Sequence, residues 1–260
     1  GAHTTASSVG WPFGSAAANA AHSEGYKTIA YGIAAHAEGS GSYVSASHAH
    51  AEGIGTFARG ISSHAEGSHT TSSGEASHAE GFLSHASGIG SHAEGGYTLA
   101  VGNNDHAEGY QTTASSVGWP AGGGAAAAAH AEGYNTIAYG IASHAEGYAT
   151  LVSASFSHAE GYGTTANGSA SHAEGFLTTA SGDYSHAAGY GTHATGSGVG
   201  QSVIGWFNEP VTGRGDFIIG NGTSNSSRSN LLHASGSLVT VKGNISSSGT
   251  FIGDGSSLTN

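Results

Sequence analysis

The chain of 260 residues contains no cysteine and no methionine, only three prolines and only five lysines and arginines. The missing cysteines remove disulfides, thiolate metal sites and cysteine nucleophiles together. The scarce cations leave no footprint for nucleic acid or for an anionic membrane surface. Seventeen Asp and Glu give a net charge of −12 with neutral histidine. No apolar run approaches the ~18 residues of a membrane span, and no signal-peptide pattern opens the sequence, so no membrane insertion is expected. Large aliphatic residues are also few. What is abundant instead is glycine, at 46 residues, with alanine and serine, and 18 histidines. Such a composition points to low complexity unless a strict repeat lets small side chains and backbone ladders do the work of a bulky core.

A repeat is present. The His of a His-Ala-Glu-Gly motif falls at His22, His36, His50, His64, His78, His92 and His106, each 14 residues after the last. The spacing then jumps to 24, at His130, and returns to 14 through His144, His158, His172 and His186. Two copies depart from the motif, with Ser23 in place of Ala and Ala188 in place of Glu. Residues 172–185, HAEGFLTTASGDYS, show the unit most cleanly, and within it a half-unit Ala-x-Gly-x-x-(Ser/Thr) occurs twice. A longer period overlies this one: TTASSVGWP at 4–12 recurs at 112–120, and EGYKTIAYGIAAHAEG at 24–39 nearly recurs at 132–147.

Glycine every few residues costs about 1 kcal/mol each in a helix, which excludes helix. Each half-unit therefore reads as one short strand and one tight turn, so a coil has two strands. Alternation places Ala173 and Gly175 on one strand face and His172 and Glu174 on the other. The expected fold is all-β: a narrow parallel β-roll solenoid of 14-residue coils over residues 1–200, then a small β-rich neck over 201–260. Irregular excursions are expected near 9–21 and 117–129. So thin a roll has little interior, and burying its outer face in an oligomer would supply the missing contacts.

The Ala-x-Gly-x-x-Ser half-units resemble the heads of trimeric autotransporter adhesins. The His-Ala-Glu-Gly form is similar to a repeat of bacteriophage tail-fibre proteins, and QSVIGWFNEP, IGNGTSNSSRSN and GTFIGDGSSLTN resemble the segment that follows it there. The resemblance implies a homotrimer, a left-handed roll and, in some relatives, a self-cleaving chaperone domain downstream. It implies a structural and adhesive fibre subunit rather than an enzyme: a shaft that mediates or positions attachment to a host-surface receptor, a glycan among the candidates. The location it implies is the virion tail, outside the cell; a bacterial trimeric surface adhesin is the alternative. A minor alternative from the residues is an ice-binding face, from the column Thr28, Thr56, Thr70, Thr98, Thr112 and Thr136.

Stacking coils ~4.8 Å apart puts like residues on like residues. Eleven glutamates (Glu24, Glu38, Glu52, Glu66, Glu80, Glu94, Glu108, Glu132, Glu146, Glu160 and Glu174) cannot be neutralised by five Lys and Arg. The partners left are the twelve motif histidines, or bound cations. In the first reading, His–Glu hydrogen bonds make a polar trimer interface, and carboxylate partners raise the His pKa. In the second, motif His binds divalent or transition-metal ions on the trimer axis, although no cofactor is required for the fold. A repeated ladder does not resemble a catalytic site, which needs one unique constellation.

Other features are weaker. Trp11, Phe13 and Trp119, in the excursions, are candidate receptor-contact loops or plugs. The aromatics Tyr26, Phe82, Tyr110, Tyr134, Tyr148, Tyr162, Phe176 and Tyr190 form a column that could pack between coils or offer flat faces to sugar rings. Arg214-Gly215-Asp216 spells an integrin tripeptide, and Asn167 and Asn221 begin glycosylation sequons.

Overall fold

A computed structural model describes residues 3–6, 20–116, 128–195 and 199–246. Every regular element in them is a β-strand. Each coil contributes a five-residue strand carrying the motif, such as His78–Phe82, and a two-residue strand, such as His85–Ala86. The short strands make one 13-stranded sheet, and the long strands make most of a 16-stranded sheet on the opposite side. Pairing is parallel and in register, so that His78, Ala79, Glu80 and Gly81 lie against His92, Ala93, Glu94 and Gly95. At ~4.8 Å per coil the stack is about 60 Å long.

The interior is as thin as its residues require. The motif alanine and the second residue of the short strand, Ala173 and Ala180 for example, are wholly buried and meet across the roll. Threonine and serine fill the two ends of this slot: Thr178 is 0% exposed and Ser185 is 2% exposed. The threonine column thus lies inside the roll and presents no hydroxyl to water, which removes the basis of the ice-binding alternative.

The motif glycine departs from the expected placement. Gly175 does not line the interior with Ala173; it is exposed, as the fourth residue of the strand His172–Phe176. Its neighbour one coil earlier, Gly161, shows why glycine is needed there. Gly161 has a φ of +107°, and a Cβ added to it would come within 2.2 Å of the Gly175 carbonyl oxygen. The second glycine of the unit, Gly182, is buried as the half-unit pattern requires.

Both turns of a coil pass through the left-handed region, where non-glycine residues also serve: φ is +54° at Leu177 and +57° at Tyr184. Such positions carry local strain that the stacked ladder outweighs.

Residue 200/201 is not a break in the sheet. Ser202–Trp206 pairs in parallel register with His186–Tyr190, and Phe217–Asn221 continues the same stack. Only then does the chain reverse, pairing Asn230–Ser235 and Leu238–Val241 antiparallel. The short-strand sheet ends earlier, at His193–Ala194. Two substitutions compensate for that. Larger interior residues, Val203 and Ile218, take the place of the motif alanine. Asn208 then replaces a missing strand: its Oδ1 accepts from the His193 backbone N–H at 2.7 Å, and its Nδ2 donates to the His193 carbonyl at 3.0 Å.

Candidate functional site: a stacked histidine–glutamate face

On the long strand, residues on either side of the buried alanine must point outward, and in-register pairing turns them into columns. All twelve motif histidines form one stack, with successive ring centroids 4.6–5.1 Å apart and nearly parallel planes. The 24-residue step leaves no gap, since His106 stacks on His130 at 4.7 Å. All eleven glutamates form the parallel column beside it, and both columns are about one-third exposed over most of the stack.

Within one chain the two columns lie side by side but make almost no hydrogen bonds to each other. From His36 to His144 each Nε2 lies 3.4–3.9 Å from the carboxylate two residues on, without making a hydrogen bond. Further along, pairing moves to the preceding coil: His172 faces Glu160 at 3.6 Å, and His186 meets Glu174 at 3.2 Å, the one hydrogen bond of the series among the described residues. The Nε2 atoms of the ten histidines from His36 to His172 are sealed from water and have no partner within the chain. An orphaned buried acceptor or donor costs about 1–3 kcal/mol, so the row is a local penalty that a small shift of the rings toward the adjoining carboxylates would relieve.

Within the single chain, burial outweighs the carboxylates at five of the histidines. Burial pushes His50, His64, His92, His130 and His158 below the ordinary imidazole value, with help from neighbouring histidines, and the glutamates only partly offset this. A lowered folded pKa means that the histidines' contribution to stability is present above about 6.5 and lost as pH falls through the lower folded value. Several glutamates are shifted by their neighbours in the column. Contact with neighbouring carboxyls holds Glu38, Glu66 and Glu146 up, Glu66 to about 7, and holds the intervening Glu52 and Glu160 down. Burial is the main cause at Glu94, which is also raised. The glutamate column lines shallow grooves along the roll, one of them bounded by Glu38, Glu52, Glu66 and Glu80. Among the described residues no Lys or Arg forms an ion pair with it.

Toward the C-terminal end the same face turns apolar. In the glutamate column, Glu174 is followed by Ala188, Ile204 and Ile219. In the histidine column, His186 is followed by Ser202 and then Phe217, which is 40% exposed.

The aromatic column lies at the strand end, and its rings stack on one another. From Tyr134 through Tyr190 centroids are 4.7–5.0 Å apart and planes within 6°. Faces stacked against faces leave mainly ring edges outward over this stretch, so there the column packs coil on coil and offers little flat surface for a sugar ring. Where Gly96 interrupts it, Tyr97 from the adjoining turn fills the gap, edge-on to Phe82 and Tyr110 at 5.4 and 5.5 Å.

Trp11, Phe13 and Trp119 lie outside the described residues. The flanks of the second excursion are described, and they reveal an anchor that the sequence reading missed. Asp105 stands where other coils have a small residue, serine or alanine. Its carboxylate accepts from the backbone N–H of Gly102, Ser116 and Ala129 and from the Ser116 hydroxyl, tying entry to exit. The signal was in the sequence: the one acidic residue before a motif histidine directly precedes the one 24-residue step. Asp216 of the Arg-Gly-Asp tripeptide is 1% exposed and bonded to His233 at 3.1 Å, so that carboxylate is not available to a receptor. No protein-family model and no curated protein matches the chain.

Proposed function

We propose that the chain is one subunit of a fibre shaft, a homotrimer whose His–Glu faces meet, and that the shaft holds or carries a host-attachment surface on a virion tail. The observation that carries the self-association is an outward face of stacked His and Glu columns, one-third exposed and with no Lys or Arg among the described residues to balance its carboxylates. Continuation of that face into Ile204, Ile219 and Phe217 supports it, because an apolar strip at one end fits a closed, in-register assembly of identical chains. The threefold symmetry and the attachment role rest on the resemblance to phage tail-fibre repeats. The stack itself is suited to such work: each coil contacts its neighbours alone, so length is set simply by repeat number.

Sedimentation analysis tests the reading. The expected result is a species of three chain masses, seen by electron microscopy as a rod with a repeat section about 60 Å long. A monomer at tens of micromolar, with the polar face bare, would overturn it.

A further inference from the structure

The His–Glu face has the composition of a cation-binding ladder, and this does not depend on how many chains associate. Groups such as His64–Glu66–His78, His78–Glu80–His92 and His92–Glu94–His106 bring two imidazole nitrogens and a carboxylate oxygen within 4.8 Å of one another, among nine groups of three or more ligating side chains in the described residues. The imidazole Nε2 atoms are desolvated and unpartnered. The adjoining carboxylates have no Lys or Arg to balance them, although the chain carries a net charge of −12.

We propose that this face binds divalent transition ions of the zinc or cobalt type. Each ion takes the Nε2 of one histidine, the carboxylate of the glutamate two residues on and the histidine of the next coil. Mixed imidazole and carboxylate ligands favour such ions over calcium or magnesium, which prefer all-oxygen shells. With bonds of about 2.0–2.1 Å, two ligands of a tetrahedral ion sit about 3.4 Å apart. The His92–Glu94 pair is at 3.4 Å and His130–Glu132 at 3.5 Å, so these pairs already have that bite. The histidine of the next coil, stacked 4.9 Å away at His106 with its plane nearly parallel, must approach and rotate so that its in-plane lone pair faces the ion.

Sharing sets the occupancy. His78 belongs to both of its neighbouring groups, as does His92, so an ion in one group denies a ligand to the next. Alternate coils fill, and fewer than the nine groups can be loaded at once. The ion replaces the missing hydrogen-bond partner of the histidines and offsets the repulsion between stacked carboxylates.

The test uses the untagged full chain, stripped with chelator, gel-filtered and titrated at pH 7.5 with cobalt(II) and separately with zinc(II). The expected result is uptake of about three to five ions per chain at micromolar metal. Cobalt should give the intense visible absorption of a tetrahedral site, and zinc should raise the melting temperature. Changing Glu80, Glu94 and Glu108 to Gln should remove two or more of those ions. Changing His48 and His69, which stand in the turns away from the face, to Gln should remove none. Because the unaltered chain supplies the spectrum and stoichiometry, a ladder variant that fails to fold does not spare the idea. No uptake at a hundred micromolar metal, or uptake lost with His48 and His69 instead of the ladder, would overturn it. Either result leaves the sedimentation test untouched.

Discussion

Replacing Gly147 by alanine is the most demanding single-atom test of the stacking scheme. Gly147 has a φ of +105°, and a Cβ there would stand 2.3 Å from the carbonyl oxygen of Gly161 in the next coil, with the carbon and nitrogen of Gly161 at 3.1 Å. An ordinary carbon–oxygen contact is about 3.4 Å, so the overlap is about 1 Å, and the obstacle is backbone that no rotamer change can move. The backbone strain is about 1–3 kcal/mol. Separating two coils enough to relieve the clash weakens at least two ladder hydrogen bonds at about 1 kcal/mol each. The combined loss is about 3–5 kcal/mol. Gly200 is the control: its φ of +78° imposes comparable local strain, but a Cβ there meets nothing within 4 Å. Gly200→Ala should cost about 1 kcal/mol. Urea unfolding followed by far-ultraviolet circular dichroism at one protein concentration measures both. Gly147→Ala should also broaden the transition, because it weakens coupling between two halves of a nearest-neighbour stack. Equal losses for the two variants would refute the close-approach argument.

Two further outcomes follow from local geometry. Ala170 is an exposed turn residue with a φ of +52°, so Ala170→Gly should stabilise the chain by about 0.5–1 kcal/mol, read as a higher urea midpoint; destabilisation would contradict the turn assignment. His193 faces the Arg228 guanidinium at 3.1 Å, and since a guanidinium only donates, the imidazole must be neutral there. Burial and then the Arg228 charge hold its pKa below the ordinary value. Its contribution is therefore present above about pH 6.5 and lost as pH falls through the lower folded value. Unfolding midpoints between pH 7 and pH 5 should drop less steeply in His193→Gln than in the unaltered chain, and parallel profiles would refute this.

Much of the fold was legible because a strict period converts sequence position directly into three-dimensional position. Once His78 and His92 are known to be one coil apart, the columns, the alanine interior and the parallel register follow. Other features were not legible, each for a physical reason. The place of Gly175 was misjudged because a residue at positive φ breaks the two-residue alternation within its strand. The direction of the His shift depends on how far stacking strips water from the rings, which spacing alone does not measure. The true end of the stack was hidden because SVIGW and FIIGN keep the glycine of the motif while exchanging His, Ala and Glu for other residues. In Ser202–Trp206 and Phe217–Asn221 that glycine alone marks the continued register. Asp105 and Asn208 were missed because each acts once, where the repeat is interrupted or stops.

The claim that the His–Glu face joins identical chains can be tested with a single introduced cysteine, since the chain has none of its own. Ala188 lies in the glutamate column between Glu174 and Ile204, while Ser169 is exposed in a turn away from it. A disulfide needs Cα atoms within about 7 Å, a distance that only facing copies would bring about. Under mild oxidation, Ala188→Cys should run largely as a linked dimer on a non-reducing denaturing gel, and Ser169→Cys should run as a monomer. Linkage through Ser169→Cys with none through Ala188→Cys would contradict the assignment of this face as the interface.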